Sequence, residues 1–301
     1  MTDQPVTSPE ESDGAVVAPV TTEADSVKVS RAGRNLPAAF AVGLTLGAAV
    51  VVTLFVTPKW TFVVLATAGV CVGVWELCRA LKVGGFAVPV VPSIVGCVSM
   101  LGAAYVGGAQ ALLVCFALTC VAILVWRVAD GVAGAARDVM GGSLVAAYPS
   151  FLAGFSSLLL APDDGARRLF TFIALAVASD IGGYAVGVLA GRHPMAPTIS
   201  PKKSWEGFAG SVAFCMAVGV ACVYFALHGP WWVGLLAGAA AAVGATTGDL
   251  IESTIKRDLG IKDMSNILPG HGGLMDRLDS LVITAPIIWA VLAVLVPVAA
   301  G

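Results

Sequence analysis

Two long apolar runs without a charged residue, at 83–126 and 207–248, constrain this 301-residue chain more than any other feature. A membrane-spanning helix takes about 20 residues, so each run is long enough for two spans. Only 12% of the residues are charged and 58% are hydrophobic, which is unlike the composition of a water-soluble domain. The sequence therefore predicts an all-α, polytopic integral membrane protein.

Further uncharged runs occur at 37–57, 60–75, 139–162, 169–179 and 280–301. Glycine, together with proline at the second site, favours turns at 107–110 and 228–230, and these turns divide the two long runs. About nine transmembrane helices result. The run at 139–162 is weakened by two glycines and Pro149, so a broken or partly re-entrant segment is the alternative there.

The distribution of positive charge predicts the orientation. With nine helices and a cytoplasmic N-terminus, all Lys and Arg residues except three lie on the cytoplasmic side, the exceptions being Lys59, Arg167 and Arg168. Cytoplasmic loops of membrane proteins are enriched in these residue types. We therefore expect a multi-pass protein of the cell (inner) membrane with its N-terminus and polar site in the cytoplasm.

Composition also divides the chain into regions. Residues 1–35 are rich in Pro, Ser, Thr and acidic residues and predict a disordered cytoplasmic tail. Residues 36–301 predict the transmembrane catalytic domain, with the active site within 176–280. The seven cysteines lie in or beside apolar runs without a metal-ligand spacing, so we expect neither disulfides nor a zinc site.

Most of the charged residues with chemical interest follow two spans, at 191–206 and 249–279. If the helix before the second segment continues past the membrane surface, a spacing of i, i+3, i+4 and i+7 places four polar side chains on one face. These are Asp249, Glu252, Ser253 and Lys256. The alternative is that such charges only anchor the ends of helices.

Asp276 and Asp279 share one face of the next predicted helix. Carboxylates close to cationic side chains suit a Mg²⁺ ion that keeps waters and bridges to substrate phosphates. In the upstream segment, two lysines and two hydroxyls can bind a phosphate by charge-assisted hydrogen bonds, or the lysines can serve as an ordinary interfacial anchor. These residues are Ser200, Lys202, Lys203 and Ser204.

Two further acids lie in or beside apolar runs. Asp180 lies deep in a span, where an acid costs about 2.5 to 3.5 kcal/mol, and such residues are functional by default. A hydrogen bond across helices brought together by Gly182 and Gly183 is the competing explanation. Glu76 is predicted to form an interfacial ion pair with the nearby Arg79 or Lys82, or alternatively to line the lipid entrance.

The downstream segment carries a long polar signature, which reads STIKR at 253–257, KD at 262–263, Ser265, LP at 268–269, HGGL at 271–274 and DRLD at 276–279. This pattern resembles the complete signature of the phosphatidate cytidylyltransferases, also called CDP-diacylglycerol synthases. Segments 179–184 and 200–207 also resemble that family. The first half of the chain is similar only in being helical and apolar.

The resemblance implies an integral membrane enzyme that joins CTP and phosphatidic acid into CDP-diacylglycerol and pyrophosphate for phospholipid biosynthesis. It also implies Mg²⁺ and a monovalent cation such as K⁺ as cofactors, membrane lipid as a partner, and a homodimer. We expect no nucleic-acid partner.

We expect Asp249 and Asp276 to bind the metal, with Asp279 and Glu252 as further ligands or as groups that orient them. His271 orients a phosphate oxygen or the leaving group, or else stabilises its own turn. The cations expected to hold phosphates are Lys202, Lys203, Lys256, Arg257 and Arg277. The other substrate-binding candidates are Ser200, Ser204, Ser253, Lys262 and Asp180.

Polytopic chains of this kind have three other functions to compare with the sequence. A CDP-alcohol phosphotransferase is rejected, because the spacing from Asp130-Gly131 to Ala136-Arg137 is wrong and the paired downstream aspartates are missing. A secondary transporter is disfavoured, because the polar residues gather at one surface and not along broken helices at midplane. The same chemistry on another lipid phosphate stays open, because apolar tails leave no readable motif in apolar helices.

Overall fold

The computed structural model describes residues 36–265, 267 and 272–298, so the predicted tail at 1–35 lies outside the described residues. In chain order the helices are α1 (Leu36–Phe55), α2 (Trp60–Val83), α3 (Val90–Ala129), α4 (Ala135–Val145), α5 (Leu152–Leu160), α6 (Gly165–Ala190), α7 (Trp205–Ala221), α8 (Trp231–Asp258) and α9 (Met275–Leu295). Two short π-helical segments join this series. They are Ala146–Phe151, between α4 and α5, and Cys222–Ala226, after α7.

The helices account for the apolar composition. Within the described residues, seven helical segments are long and apolar enough to cross a membrane, as judged by length and composition. The predicted class, an all-α polytopic membrane protein, is confirmed at this level. The number differs from the nine predicted spans because the run predicted as two spans at 83–126 contains one bent helix, α3, and the described apolar part of α1, Gly43–Phe55, is short.

Helix α3 bends back on itself at the predicted turn. Gly108 has φ 72° and ψ −163°, which lies outside the helical region. In a straight helix, Gly96 and Thr119 would lie about 34 Å apart. A side chain at Gly96 would instead collide with Thr119, so the two halves of α3 pack against each other.

The segment at 139–162, predicted as a span with a broken or partly re-entrant segment as the alternative, is continuous helix across Ala135–Leu160. Pro149 has no N–H group and cannot continue the normal ladder of helical hydrogen bonds. The chain takes the π-helical turn Ala146–Phe151 at this point. The glycines and the proline therefore change the helix type without ending the helix.

The loops that connect the helices lie at two ends of the bundle, as the contacts between them show. At one end, which we call the site end, the Ala87 N–H donates to Asp138 Oδ1 at 2.6 Å, and a Cβ on Gly84 would lie 2.5 Å from Leu259. At the opposite end, Lys59 Nζ donates to the Pro162 carbonyl at 2.5 Å. Consecutive long helices therefore run between these two ends.

A small antiparallel hairpin, which the prediction of an all-α chain missed, lies at the site end. It pairs β1 (Pro194–Ala196) with β2 (Ser200–Ser204), with Pro194 opposite Ser204. Glu206 stabilises the open end of the hairpin, just before β1. Its carboxylate accepts from the Arg192 N–H at 3.1 Å and lies 2.5 Å from His193 Nδ1. The hairpin presents the residues of β2 to the helices beside it.

Candidate active site

A polar cleft of about 320 Å³ opens between α6, β2, α7 and α8. Residues from both charged segments line it, together with the acid that the sequence places inside a span. The predicted site residues in its wall are Asp180, Ser200, Lys202, Lys203, Ser204 and Asp249. The fold therefore brings together side chains that lie far apart in the sequence.

Glycine contacts bring α6 and α7 together beside this cleft. A Cβ on Gly182 would lie 2.6 Å from the Gly210 carbonyl oxygen, so the two backbones touch. Ser211 Oγ donates to the Ser179 carbonyl at 2.7 Å across the same crossing. The close approach predicted for Gly182 is confirmed, and it leaves Asp180 exposed to the cleft.

Lys203 spans the cleft from β2 to α8. Its Nζ forms an ion pair with the Asp249 carboxylate, and both side chains are partly exposed. Ser204 ends β2 and caps α7, because its Oγ accepts from the Gly207 N–H at 3.1 Å. The N-terminus of α7 therefore points its positive dipole end toward the lysines, an arrangement that favours anions.

A second cluster of charges lies where α8 and α9 meet. Helix α8 continues to Asp258, as the face-sharing prediction requires. Lys256 Nζ lies 3.2 Å from Glu252 Oε2 and 2.8 Å from Asp276 Oδ1, so it pairs with one acid from each helix. A side chain at Gly248 would collide with the Asp279 carbonyl, which shows how closely the two helices approach.

Glu252 is the most unusual residue of this cluster. Its side chain is fully buried, at 0% exposure, and both carboxylate oxygens lack a hydrogen-bond donor among the described residues. Lys256 lies at ion-pair distance but not in hydrogen-bond geometry. The carboxyl of Asp279 lies beside Glu252 and Asp249, so three acids meet at this point.

These oxygens fit a divalent cation of the Mg²⁺ type. Unpartnered buried carboxylate oxygens need a positive partner, and Mg²⁺ prefers oxygen ligands. Within the described residues, no group of three or more His, Cys, Asp or Glu side chains stands ready to hold a metal ion. An ion held here would take one or two carboxylates and complete its shell with water and substrate phosphates.

Asp276 holds the start of α9. One of its oxygens pairs with Lys256, and the other accepts from the Gly273 N–H at 2.8 Å and the Met264 N–H at 3.1 Å. In this structure its acceptor sites are therefore occupied by the protein. The fold uses this residue to fix the loop and to orient Lys256.

Glu76 is a residue that the sequence interpretation misplaced. It was expected to pair with Arg79 or Lys82, but its buried carboxylate accepts from the backbone N–H groups of Leu274 at 3.0 Å and Met275 at 2.7 Å. Ser265 Oγ also donates to it. The partners lie almost 200 positions away in the chain, so no local signal could have revealed them.

Tyr148, in the π-helical segment, was also missed. Its side chain is 5% exposed, and its hydroxyl has no hydrogen-bond partner among the described residues. The side chain is close enough to Asp249, Glu252 and Asp279 to interact with them electrostatically. The only available signal was Pro149 beside it, because π-helical turns are frequent at functional sites.

The remaining predicted residues lie around this centre. Arg257 is exposed and its Nε lies 3.4 Å from the Ile199 carbonyl at the hairpin. Ser253 is half-buried on α8, and Lys262 is exposed in the following loop. Arg277 lies on the face of α9 that borders a separate apolar cavity. His271 lies outside the described residues.

Comparisons with known proteins agree with this geometry. The family model described as "Cytidylyltransferase family" matches residues 38–295. The chain is 41% identical over 281 residues to the phosphatidate cytidylyltransferase of Mycobacterium leprae, a match that covers 88% of this chain and 90% of that protein.

It is 38% identical over 283 residues to the phosphatidate cytidylyltransferase of Mycobacterium bovis, with 90% of this chain and 92% of that protein covered. A phosphatidate cytidylyltransferase of Synechocystis is 42% identical over 134 residues, which is 43% of this chain and 45% of that protein. The first half, where the sequence resemblance was weakest, is therefore included in the long matches. The chain belongs to the cytidylyltransferase family.

Proposed function

We propose that this chain is a CTP:phosphatidate cytidylyltransferase, which makes CDP-diacylglycerol and pyrophosphate. The polar cleft is the observation that carries the proposal, because Lys202 and Lys203 line it opposite the acids Asp180 and Asp249. Two polyanionic substrates and a divalent cation require such a combination of charges. Relatives named phosphatidate cytidylyltransferase match over most of the chain.

The reaction needs positioning and charge stabilisation, and no covalent nucleophile. A phosphate oxygen of phosphatidate attacks the α-phosphorus of CTP, and the bond from that phosphorus to the bridging β-phosphate oxygen breaks. The electron pair leaves with pyrophosphate. Lys202 and Lys203 would hold the triphosphate, while Lys256 and Arg277 would hold the lipid phosphate, so that the reacting atoms are aligned.

The proposed Mg²⁺ would be held by one or two of the carboxylates of Asp249, Glu252 and Asp279, with Asp276 next to them through Lys256. When bound, this ion neutralises charge on the phosphates and on the departing pyrophosphate. Asp249 has a second task, since its ion pair with Lys203 holds that ammonium at the cleft. The K⁺ ion and the homodimer implied by the family resemblance stay predictions.

We further propose nine membrane crossings with the site end in the cytoplasm. Counting α3 as two crossings, because it folds back at Gly108, and α1 as one, gives nine. Lys59, Arg167 and Arg168 lie at or next to the opposite end, and the other described Lys and Arg residues lie toward the site end, as the positive-inside rule requires. This orientation places the cleft where CTP is present.

The experiment that tests the function uses the purified protein in detergent micelles with labelled CTP and Mg²⁺. Phosphatidate, lysophosphatidate and an isoprenyl phosphate are supplied separately, and released pyrophosphate is measured with each. We expect CTP-dependent release with phosphatidate as the best substrate. Equal or better turnover of the isoprenyl phosphate would assign the chain to another acceptor, and ion-coupled uptake into vesicles without nucleotide turnover would favour a transporter.

A further inference from the structure

A second cavity, of about 470 Å³, lies among α1, α2, α5, α6 and α9. Its described wall is apolar except for two residues, Ser156 and Arg277. Leu46 in this wall is 42% exposed, so the cavity opens on the outer surface of the bundle, toward the lipid side. A long hydrocarbon can therefore enter it sideways from the bilayer.

Helix α9 separates this apolar cavity from the charged cluster. Leu278, Leu281 and Ala285 recur at helical spacing and line the cavity. Asp276 and Asp279 project from the other side of the same helix and meet the residues of α8. Helix α9 thus carries acidic side chains on one face and apolar side chains on the opposite face, and both faces start in its first turn.

Arg277 connects the two sites. Its side chain borders the apolar cavity, and its positive charge also acts on Asp180, which lines the polar cleft. A guanidinium in this position suits a phosphate group, because it offers several donors in one plane. A molecule with a phosphate at one end and a hydrocarbon at the other matches both features.

We infer that this cavity holds an acyl chain of the phosphatidate substrate while Arg277 lies beside its phosphate. The inference rests on the proposed function and names the lipid-chain subsite of the same reaction. Because an acyl chain is already in an apolar medium in the bilayer, the cavity adds little binding free energy by transfer. Its effect is to fix the lipid phosphate relative to CTP and to select chains that fit.

A pair of matched substitutions on α2 tests the subsite. Gly69 lines the cavity, and a Cβ there would lie 3.8 Å from Leu274, so a larger side chain extends into the free space. We expect Gly69→Phe to lower kcat/KM for dioleoyl phosphatidate about 10-fold, with the KM for CTP unchanged. Val64→Phe, on the outward face where Val64 is 57% exposed, should leave both values unchanged.

The same variants are assayed with dibutyryl phosphatidate, whose chains are too short to fill the cavity. Gly69→Phe should use this lipid as well as the parent does. An unchanged kcat/KM for dioleoyl phosphatidate in a folded Gly69→Phe protein would overturn the inference. An equal loss of activity with both lipids would indicate that the variant is misfolded. The inference is then tested by photolabelling of the unmodified protein.

The unmodified protein is labelled with phosphatidate that carries a diazirine near the end of one acyl chain. We expect adducts on residues 62–72 and 274–285, competed by unlabelled phosphatidate. Adducts only on the outward face, or equal labelling by phosphatidylcholine with the same diazirine, would overturn the inference. Labelling needs neither CTP nor turnover, so a protein that binds the chain here but releases no pyrophosphate contradicts the proposed function alone.

Discussion

At the residue scale, the fold leaves unpaired polar atoms where the reactants are expected. Among the described residues, the buried side-chain atoms without a hydrogen-bond partner are Tyr148 Oη, Ser157 Oγ and both carboxylate oxygens of Glu252. A buried unpaired group costs about 1 to 3 kcal/mol. Since the atoms of Tyr148 and Glu252 lie beside the acid cluster, we attribute their unpaired state to partners that arrive with the substrates.

Tyr148→Phe tests this interpretation, because it removes only the hydroxyl. We expect kcat/KM for CTP to fall roughly 10-fold, as for groups that orient metal ligands, while the melting temperature stays equal or rises. Tyr224→Phe, at a side chain that is 53% exposed, is the matched control. Unchanged activity with a lower melting temperature would show that the hydroxyl stabilises the fold instead.

Asp249→Asn tests the acid that both the cleft and the metal proposal require. The substitution removes the charge that pairs with Lys203 and a carboxylate beside Asp279. We expect kcat/KM to fall at least about 100-fold, with more Mg²⁺ needed for half-maximal rate. Asp258→Asn, at the exposed end of the same helix, should retain parental kinetics. Full activity of the folded Asp249→Asn protein would refute the metal assignment.

At the element scale, α9 is held at both ends by side chains of suitable charge. Glu76 accepts from the first N–H groups, and Arg168 donates to the carbonyls of Leu292 at 3.0 Å and Val296 at 2.8 Å. An acid at the N-terminus and a cation at the C-terminus both stabilise a helix dipole. The helix that carries Asp276 and Asp279 is therefore fixed relative to α2 and α6.

Glu76→Gln should loosen the start of this helix. The amide keeps one acceptor but loses the charge, so we expect the free energy of unfolding in detergent to fall by about 1 to 2 kcal/mol. The Mg²⁺ concentration for half-maximal activity should rise in parallel, since Asp276 and Asp279 follow directly. Asp163→Asn, in an exposed loop at the opposite end, serves as the control. A stability loss with an unchanged Mg²⁺ requirement would limit Glu76 to a folding role.

Gly248→Ala tests the contact between α8 and α9. The new methyl group would collide with the Asp279 carbonyl, so the helices must separate beside the acids. We expect a lower melting temperature and a loss of activity. Gly102→Ala, in α3, has nothing within 4 Å of the new Cβ and should be neutral or stabilise by up to about 1 kcal/mol. Equal behaviour of the two variants would contradict the close packing.

At the scale of the whole molecule, the sequence predicts what depends on local pattern. The turns at Gly108 and His228, the continuation of α8 to Lys256 and the close glycine contact at Gly182 all follow from composition and helical spacing. The Glu76 contacts with α9 and the position of Tyr148 do not follow, because tertiary packing alone creates them. Charged residues inside α2 and α6 also made the predicted spans too short, since satisfied backbone hydrogen bonds continue the helix past a charge.

The proposed orientation can be tested by labelling from each side of the membrane. Lys262 and Asp163 are exposed in loops at the site end and the opposite end, so Lys262→Cys and Asp163→Cys report on the two surfaces. We expect a membrane-impermeant maleimide to label Lys262→Cys only in inside-out vesicles and Asp163→Cys only in right-side-out vesicles. The parent, whose cysteines lie within helices, measures the background. Labelling of both variants from the same side would require an even number of crossings between the loops. That result would contradict the proposed spans of α6, α7 and α8.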